Sequence, residues 1–408
     1  EVRVLYDSDA IYVGVWAYDS RADQIVPGEA IRDFEVTDAD AVIMVFDTFK
    51  DEQNGFVFGT TPAGIEYDGQ VASGGSGGGF FLGGGSNSSR RFQAGAGGGF
   101  NKNWDGSWEV AATQDAEGWY AEFRIPFNTL RYGSDVDQWG FNISRRVRRL
   151  NEEVFWSSVP REFNLYRLDF AGSLAGLEPP VRRAVTVTPY VLGSTARDYA
   201  GGELQWNEEG NVGGEAKAQI TQGLTLDVTV NTDFAQVEVD NLQVNLNRFS
   251  LFFPEKRPFF LENAGQFSVG APGEVELFFS RRIGIGPAGE QIPIDGGLRL
   301  SGKVGNGTNL GLLAMRSEAV TGIASENDFA VVRLNQEVAR RSAVGILFVN
   351  RDGGGTDNQT FAVDGRWGIG DRGTVSGFVA KTSTDGIDDD DHAFRLAGSY
   401  DSDTWSYS

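Results

Sequence analysis

After residue 180 the sequence reads as a series of paired strands whose connections alternate strictly in length. Short turns lie near 221–223, 305–308, 339–342, 370–373 and 401–404. Long connections separate those hairpins, over roughly 193–212, 232–297, 317–327, 351–358 and 382–391. Outer-membrane β-barrels have this organisation, because antiparallel strands of about nine residues are joined by short periplasmic turns and long external loops. We therefore predict an antiparallel outer-membrane β-barrel over residues 181–408.

Side chains along these strands alternate in character, as the two faces of a barrel wall require. Leu298, Leu300 and Val304 fall on one face of their strand, whereas Arg299 and Lys303 fall on the other. One face can therefore meet lipid while the other lines a polar lumen. A water-soluble sheet with one buried face has the same period and is the alternative interpretation.

The number of strands bears on whether the barrel is whole. About eleven can be counted after residue 180, each of the length that a barrel strand needs, and the last one reaches Ser408. An odd, unclosed set would leave exposed backbone edges in lipid, which a membrane does not tolerate. We therefore expect the barrel to continue past this sequence, so that 181–408 forms only part of it.

Residues 1–180 read as a separate β-rich unit. Ile11 and Val13 alternate with polar or small residues, as in a half-buried strand. The range 74–99 has 12 glycines in 26 positions, a composition that forms no packed core, so it is predicted to be a long flexible or Ω-like excursion. The run Glu-Pro-Pro at 178–180 is the predicted linker, because consecutive prolines interrupt both helix and sheet.

Composition excludes several functions. The chain has 35 Lys and Arg against 57 Asp and Glu, a net charge of −22, which excludes a nucleic-acid partner because such proteins neutralise phosphates. It has no cysteine and one histidine, His392, in a run of aspartates, which excludes thiol nucleophiles and multi-histidine zinc sites. With so many acids a carboxylate pair alone does not indicate a glycosidase. We find no catalytic constellation and expect a binding protein rather than an enzyme.

The most specific motif is FFPEKRPFFLEN at 252–263, which follows NTDFAQVEVD at 231–240 and QVNLNRF at 243–249. Together these segments resemble the signature of a large bacterial family of unknown function. Its members carry an N-terminal domain similar to family 9 carbohydrate-binding modules and a C-terminal outer-membrane β-barrel. The stretches at 10–15, 38–51 and 118–127 resemble the carbohydrate-binding half. The resemblance implies an all-β chain, with a jelly-roll-like β-sandwich over 1–180 that binds glycan, often with calcium, followed by the barrel.

Candidate sugar ligands are aromatic residues in the first 180 positions, because a planar ring stacks on the apolar face of a pyranose. Trp104 lies in a polar turn and Trp156 precedes a Ser-Ser-Val-Pro loop, so we predict that both are platforms. Asn142 and Arg145 on a neighbouring strand would supply hydrogen bonds. Other tryptophans, such as Trp139, lie in strongly patterned strands and are expected in the core.

Two further groups of residues carry predictions. The acids Asp38, Asp40, Asp47 and Asp51 flank one strand and would offer hard oxygen ligands to calcium, the one cofactor that we consider, although acidic turns have the same composition. The connection 232–297 is expected to fold into the lumen or to form an external cap. The residues proposed to pack or pair there are Phe252, Glu255, Lys256, Arg257, Phe259 and Glu262.

Parity of the connections predicts the topology. If the chain enters the barrel after Pro180, the first short turn is periplasmic, and residues 1–180 are periplasmic too. The expected partners are glycan or another polymer, outer-membrane lipid and envelope proteins. The leading hypothesis is glycan capture or passage at the bacterial outer membrane. The alternatives are a structural or assembly protein whose sandwich docks protein partners, and an accessory to a glycoside hydrolase system.

Overall fold

The computed structural model describes residues 1–75, 99–133, 136–181, 183–197, 206–232, 253–271, 275–286, 289–305, 307–387, 389 and 391–408. Within these ranges the chain is all-β apart from one short α-helix, α1 (Pro258–Leu261), which confirms the predicted class. No helix in the described ranges is long and apolar enough to cross a membrane. Short 3₁₀ segments occur at Ala22–Gln24, Val36–Asp38, Ser73–Gly75, Arg148–Leu150, Leu168–Phe170, Ala264–Phe267 and Ser280–Arg282.

The N-terminal region, residues 1–180, forms two antiparallel sheets. Its strands are β1 (Val2–Tyr6), β2 (Ala10–Tyr18), β3 (Ala41–Asp47), β4 (Gly55–Thr60), β5 (Glu66–Val71), β6 (Phe100–Asn101), β7 (Glu109–Gln114), β8 (Gly118–Pro126), β9 (Gln138–Val147), β10 (Glu152–Phe155) and β11 (Gly172–Ala175). One sheet has the order β1-β2-β8-β7. The other has the order β10-β9-β3-β4-β5-β6, and β11 also pairs with β9. Of the glycine-rich tract, 76–98 lie outside the described residues.

The two sheets share one apolar core. Val13 and Phe123 from the first sheet meet Met44, Phe46 and Trp139 from the second, all of them fully buried. Trp139 is therefore a core residue, as its strand pattern predicts. The second sheet is covered on its other face as well, by the segments around 34 and 165–168. This double burial explains why the run 41–46 is continuously apolar rather than alternating.

Most of the described residues after 184 form one sheet of eleven antiparallel strands, the large sheet. The strands after residue 184 are β12 (Val185–Arg197), β13 (Trp206–Gln219), β14 (Leu224–Thr232), β15 (Gly270–Ala271), β16 (Val275–Glu276), β17 (Ile294–Val304), β18 (Thr308–Ser317), β19 (Asn327–Ala339), β20 (Ser342–Gly353), β21 (Thr356–Ile369), β22 (Gly373–Thr384), β23 (His392–Asp401) and β24 (Ser406–Tyr407). They pair in chain order from β12 to β24, except that β15 and β16 form a separate ribbon. The count of eleven agrees with the sequence, and the described sheet does not close on itself.

The connections follow the predicted alternation with one clear exception. All five short turns lie where the sequence places them, at 220–223, 305–307, 340–341, 370–372 and 402–405. The predicted long connection over 351–358 is wrong, because β20 and β21 stay paired as far as Gly353 and Thr356. Gly354 and Gly355 alone make the turn, with φ values of 66° and 77°. Two successive positive φ angles suit a tight hairpin, and glycine adopts them without a steric penalty.

The large sheet has an outer face with exposed apolar side chains and an inner face on which charged and apolar side chains are buried. Cross-strand pairs join a continuous outer row over six strands: Leu226, Leu300, Leu312, Val332, Phe348 and Phe361. Further along this face Val379 is 65% exposed and Leu396 is 81% exposed. On the inner face, Arg299 is 1% exposed and Arg333 is 2% exposed. The sheet therefore exposes a continuous apolar row on one face and encloses charged residues, beside an apolar patch, on the other, whereas a sheet that folds in water exposes its polar face.

Candidate functional site

Trp156 is the exposed aromatic side chain that the sequence predicts in the N-terminal region. It directly follows β10, and its backbone N–H donates to the carbonyl of Ile143 on β9 at 2.9 Å. The indole is 60% exposed and lies so close over Gly172 that a Cβ there would clash with the ring. Phe141 supports it with a centroid distance of 5.8 Å. The ring is thus backed by protein and presents the rest of its surface to solvent, as a stacking platform requires.

Asn142 positions the Trp156 loop and does not reach a ligand. It is 1% exposed, so the predicted ligand contact is wrong. Its Nδ2 donates to the carbonyl of Ser157 at 3.0 Å, and its Oδ1 accepts from the backbone N–H of Ser157 at 2.8 Å. The amide therefore uses both of its ends to hold the chain that follows Trp156.

Arg145, on β9, lies on the same face of the sheet as Trp156, which follows the neighbouring strand β10. The register pairs Arg145 with Val154, two residues before the tryptophan, and residues two apart on a strand share a face. Its guanidinium donates to the carbonyl of Tyr18 at 2.8 Å and lies 3.6 Å from Asp19. A bidentate hydrogen bond from Arg149 holds the pKa of Asp19 below its usual value. Arg145 is therefore near the platform but is partly committed to Asp19.

Trp104 is a core residue, and the prediction that it is a platform is wrong. Its indole is 5% exposed and packs against Phe56 and Phe58, at centroid distances of 5.3 and 6.3 Å. The polar residues around it are a turn that carries the ring inward, and Gly106 leaves room for it because a Cβ there would lie 2.7 Å from the indole. The polar residues around Trp104 correctly indicated a turn, but they did not indicate the direction of the Trp104 side chain.

The four acids predicted to bind calcium do not form one site. Asp38 and Asp40 precede β3, whereas Asp47 ends it and Asp51 follows it, so the length of the strand separates the two pairs by about 20 Å. Asp40 accepts from the backbone N–H of Val26 at 2.6 Å. Asp47 accepts from two backbone N–H groups of its own turn. Burial, and then the charge of Asp51, raise the pKa of Asp47. These acids organise turns, which was the alternative interpretation.

A different acidic group lies at the edge of the second sheet, formed by Asp33, Asp68 and Asp105. One carboxylate oxygen from each lies within 4.8 Å of the others. Such a donor set suits a hard cation. Arg32 already lies among them, however, 2.8 Å from Asp68 and 3.0 Å from Asp105. The Arg32 guanidinium therefore already balances part of the negative charge of this group. Sequence reasoning missed it because its members are more than thirty residues apart.

The charge state of Asp33 predicts how stability depends on pH. Burial, and then the charge of Asp68, raise its pKa to about 7. Because this pKa is raised in the folded state, the contribution of Asp33 to stability is fully present below the unfolded value of 3.8 and is lost as pH rises towards 7. An asparagine in place of Asp33 would keep the Oδ1 that accepts from the N–H of Asp68 at 3.3 Å, and asparagine tolerates the positive φ of 56° at this position.

We therefore expect Asp33→Asn to match the parent chain at about pH 4 and to be more stable at about pH 8. Thermal unfolding of the full chain in detergent, followed by near-ultraviolet circular dichroism across this pH range, measures the difference. Asp38→Asn, at an exposed acid outside the cluster, is the matched control and should leave the pH profile unchanged. Equal pH profiles for Asp33→Asn and the parent would contradict the prediction.

The inner segment, residues 253–271, packs on the inner face of the large sheet. Phe259 and Phe260 are buried there in an apolar cluster that includes Leu313 from β18 and Val331 from β19. Of the predicted residues, Phe252 lies outside the described residues and Lys256 is half-buried. The Glu255 carboxylate accepts two hydrogen bonds from the Arg257 guanidinium, at 2.8 and 2.7 Å. Burial acts to raise the pKa of Glu255, but Arg257 outweighs it and holds the pKa below its usual value.

Glu262 is the centre of a second charge network. Its carboxylate lies 2.8 Å from Arg131 of the N-terminal region and 2.5 Å from Lys217 of β13. Arg299 of β17 donates to the Glu262 carbonyl, and Asp227 lies 3.5 Å from Arg299. The sequence indicated a charge network for the inner segment but not these partners. Alternation already placed Arg299 on the polar face, whereas nothing local pointed to Arg131.

The N-terminal region contacts the short-turn end of the large sheet. Basic residues on the turns meet acids of the N-terminal region, since Arg340 lies 2.7 Å from Glu52 and Arg372 lies 3.2 Å from Glu162. The other contacts are Lys303 with Asp51, Arg341 with Asp169 at 3.6 Å, and the N–H of Tyr132 with the carbonyl of Gln222 at 3.3 Å. Four of the five short turns, or the strand ends beside them, therefore take part.

Comparison with known proteins gives limited similarity. Residues 179–296 match the model of a domain of unknown function, DUF5916. This range covers the linker, the first three strands of the large sheet and the inner segment. No curated protein matches the sequence. The crystal structure of Acinetobacter baumannii OccAB1 is similar over 88% of this chain and 68% of that chain, at 10% identity and a TM-score of 0.23. That score is too low to support an argument, so the similarity rests on residues 179–296.

Proposed function

We propose that this chain is a bacterial outer-membrane protein in which a β-barrel carries a carbohydrate-binding β-sandwich that captures glycan or another polymer. The large sheet would be barrel wall and the N-terminal region the sandwich. The observation that carries the membrane part is the inverted polarity of the large sheet. An apolar row over six strands is stable when it faces hydrocarbon, and the enclosed charges are stable when they face a lumen.

Aromatic residues at the short-turn end of the large sheet support the same placement. Trp367, Tyr400, Trp405 and Tyr407 are all exposed, and all lie close to the turns at 370–372 and 402–405. Barrels in the outer membrane carry aromatic girdles at the interface, because these rings have an apolar body and a polar edge. The N-terminal region contacts the same end, which in such barrels is periplasmic. We therefore propose a periplasmic location for residues 1–180.

The carbohydrate part of the proposal rests on Trp156. A ring backed by Gly172 and Phe141, with its remaining surface in solvent, fits the apolar face of a sugar. Arg145 on the same sheet face can donate to a hydroxyl from its remaining N–H groups. Capture by stacking and hydrogen bonding needs no bond cleavage, so the proposed role is binding or passage of the polymer.

Replacing Trp156 by Ala is expected to weaken glycan binding about tenfold or more, because an aromatic anchor at a binding site contributes a large share of the affinity. The measurement is calorimetric titration of the full chain in detergent with a panel of soluble glycans, with and without Ca²⁺. Trp156→Phe should retain part of the affinity.

Trp367→Ala is the matched control, since Trp367 is similarly exposed but lies on the outer face of the large sheet. It should leave glycan affinity unchanged. A folded chain that binds no glycan in the panel would contradict the proposal and favour a structural role in which the N-terminal region docks envelope proteins. Binding that survives Trp156→Ala would move the site away from this ring.

A further inference from the structure

A polar cavity of about 170 Å³ lies where the N-terminal region, the inner segment and the large sheet meet. The inner face of the large sheet lines it with Asn335 of β19 and with Ser376 and Phe378 of β22. The register joins Asn335 to Phe378 through β20 and β21, so these two side chains belong to one cross-strand row. Gln266 and Ser268 line the cavity from the inner segment.

The charged residues of the lining already interact with other groups of the chain. Arg333 holds Asp364 in a bidentate pair of 2.5 and 2.9 Å. Arg395 also has interactions within the chain. Two acids outside the lining, Glu337 and Asp51, act on the charge of Arg366. Charge therefore gives no reason to prefer an ionic ligand.

Neutral polar groups of the lining, by contrast, keep free hydrogen-bonding capacity. Among the residues that the structure describes, the half-buried side chains of Asn335, Ser268 and Ser376 make no hydrogen bond to another residue. Gln266 is oriented by its Oε1, which accepts from the backbone N–H of Gly302 at 3.1 Å, so its Nε2 remains a donor. Amides and hydroxyls both donate and accept. The cavity therefore presents donors and acceptors from the large sheet and from the inner segment.

The size and lining of the cavity define a ligand class. A protein cavity of about 150 Å³ holds one benzene ring, so a cavity of this volume accommodates one six-membered ring. Phe378 adds an aromatic surface on which the apolar C–H face of a pyranose stacks. Sugar hydroxyls need donors and acceptors together, which the amides and hydroxyls of the lining supply. We propose that this cavity binds one neutral pyranose unit between the large sheet and the inner segment.

This site is separate from the Trp156 platform, which lies on the N-terminal region, and it does not rest on that ring. A cavity with room for one ring does not enclose a polymer, so probe size tells the two sites apart. Trp156→Ala should weaken binding of a polymer and leave binding of a monosaccharide at the cavity unchanged. Each of the two proposals can therefore fail while the other holds.

The test is calorimetric titration of the full chain in detergent with glucose, galactose, xylose and N-acetylglucosamine, and with inorganic phosphate as an ionic probe. We expect at least one sugar to bind, and to bind more tightly than phosphate. Asn335→Ala and Ser376→Ala should each weaken its binding about threefold to tenfold, as expected for the loss of one neutral hydrogen-bonding group. Ser376→Leu places a larger apolar side chain in the cavity and should abolish binding.

Asn350→Ala is the matched control for Asn335→Ala. Asn350 is also half-buried and makes no side-chain hydrogen bond to another described residue, but it lies on the outer face of β20. It should leave sugar affinity unchanged. Binding of no sugar in the panel, tighter binding of phosphate than of every sugar, or equal weakening by Asn350→Ala would each overturn the inference. Monosaccharide binding that is lost in Trp156→Ala and kept in Asn335→Ala would overturn it too, because the sugar would then lie on the platform.

Discussion

Replacing Glu262 by Ala is expected to destabilise the chain by about 3–5 kcal/mol, because removing one partner of a buried ion network leaves the other charges uncompensated. Its side chain is 5% exposed, and the Arg131 side chain that it contacts is 7% exposed. Lys217 and Arg299 would then share Asp227, which lies 3.6 and 3.5 Å from them. Thermal unfolding in detergent and limited proteolysis of the inner segment measure the loss.

The pH dependence of that network has a definite sign. Burial acts to raise the pKa of Glu262, but Arg131 and Lys217 outweigh it and hold the pKa well below the usual 4.5. A carboxyl whose pKa is lowered in the folded state contributes stability above its unfolded pKa and loses it as pH falls. The difference in the free energy of unfolding between Glu262→Ala and the parent should therefore be largest at about pH 7 and should decrease below about pH 4.5.

A surface glutamate provides the control for Glu262. Glu326 lies 3.6 Å from Arg316, and both side chains are more than half exposed. Such pairs contribute about 0–1 kcal/mol, so Glu326→Ala should change stability little. If Glu262→Ala changed stability equally little, and left the protease sensitivity of the inner segment unchanged, then the Glu262 network would not be what holds that segment on the large sheet.

Replacing Val363 by Arg distinguishes a lipid-facing sheet from one that is exposed to water. Val363 lies on the outer face of β21 and is 49% exposed. In water, such a substitution would change stability by less than about 0.5 kcal/mol. In a bilayer, an arginine on the lipid face near the midplane costs about 2–4 kcal/mol. Urea titration of the chain reconstituted in phosphatidylcholine vesicles, followed by tryptophan fluorescence, measures the difference.

Gln359→Arg is the matched control for Val363→Arg. Gln359 lies on the same face of β21, four residues nearer the Gly354–Gly355 turn, and is exposed and already polar. It lies beyond the apolar row and should tolerate arginine in the bilayer. Equal and small effects at both positions would contradict a lipid-facing outer face.

Local patterns in the sequence predicted the strands of the large sheet and its short turns well. Period-two alternation and turn residues are properties of neighbouring positions, so eleven strands and five turns were found where expected. The tight turn at Gly354–Gly355 was missed because the prediction used only local composition, and a run of glycines has the composition of a long loop. How far the flanking strands β20 and β21 pair depends on contacts between their own residues, which the glycine run does not show.

The functional residues were harder to predict because their partners are distant in sequence. Trp156 was found because the segment after it is a loop and its ring has nowhere to be buried. Trp104 has a similar setting, but the turn around it points the ring into the core. Arg131 and Glu262 are 131 positions apart, and only the folded chain brings them together. The acidic group at Asp33 likewise joins residues from three separate segments.

The contacts between the N-terminal region and the short turns have a consequence for how firmly the two parts hold together. Each exposed ion pair, such as Arg340 with Glu52, is weak by itself. The linker keeps the two parts covalently joined, so the contacts form at a high effective concentration, in the millimolar range for a short tether. The pairs Lys303–Asp51 and Arg341–Asp169 are buried, whereas Arg340–Glu52 is largely exposed. Because salt screens exposed pairs far more than buried ones, rising ionic strength should loosen the rim of the attachment and leave its buried pairs in place.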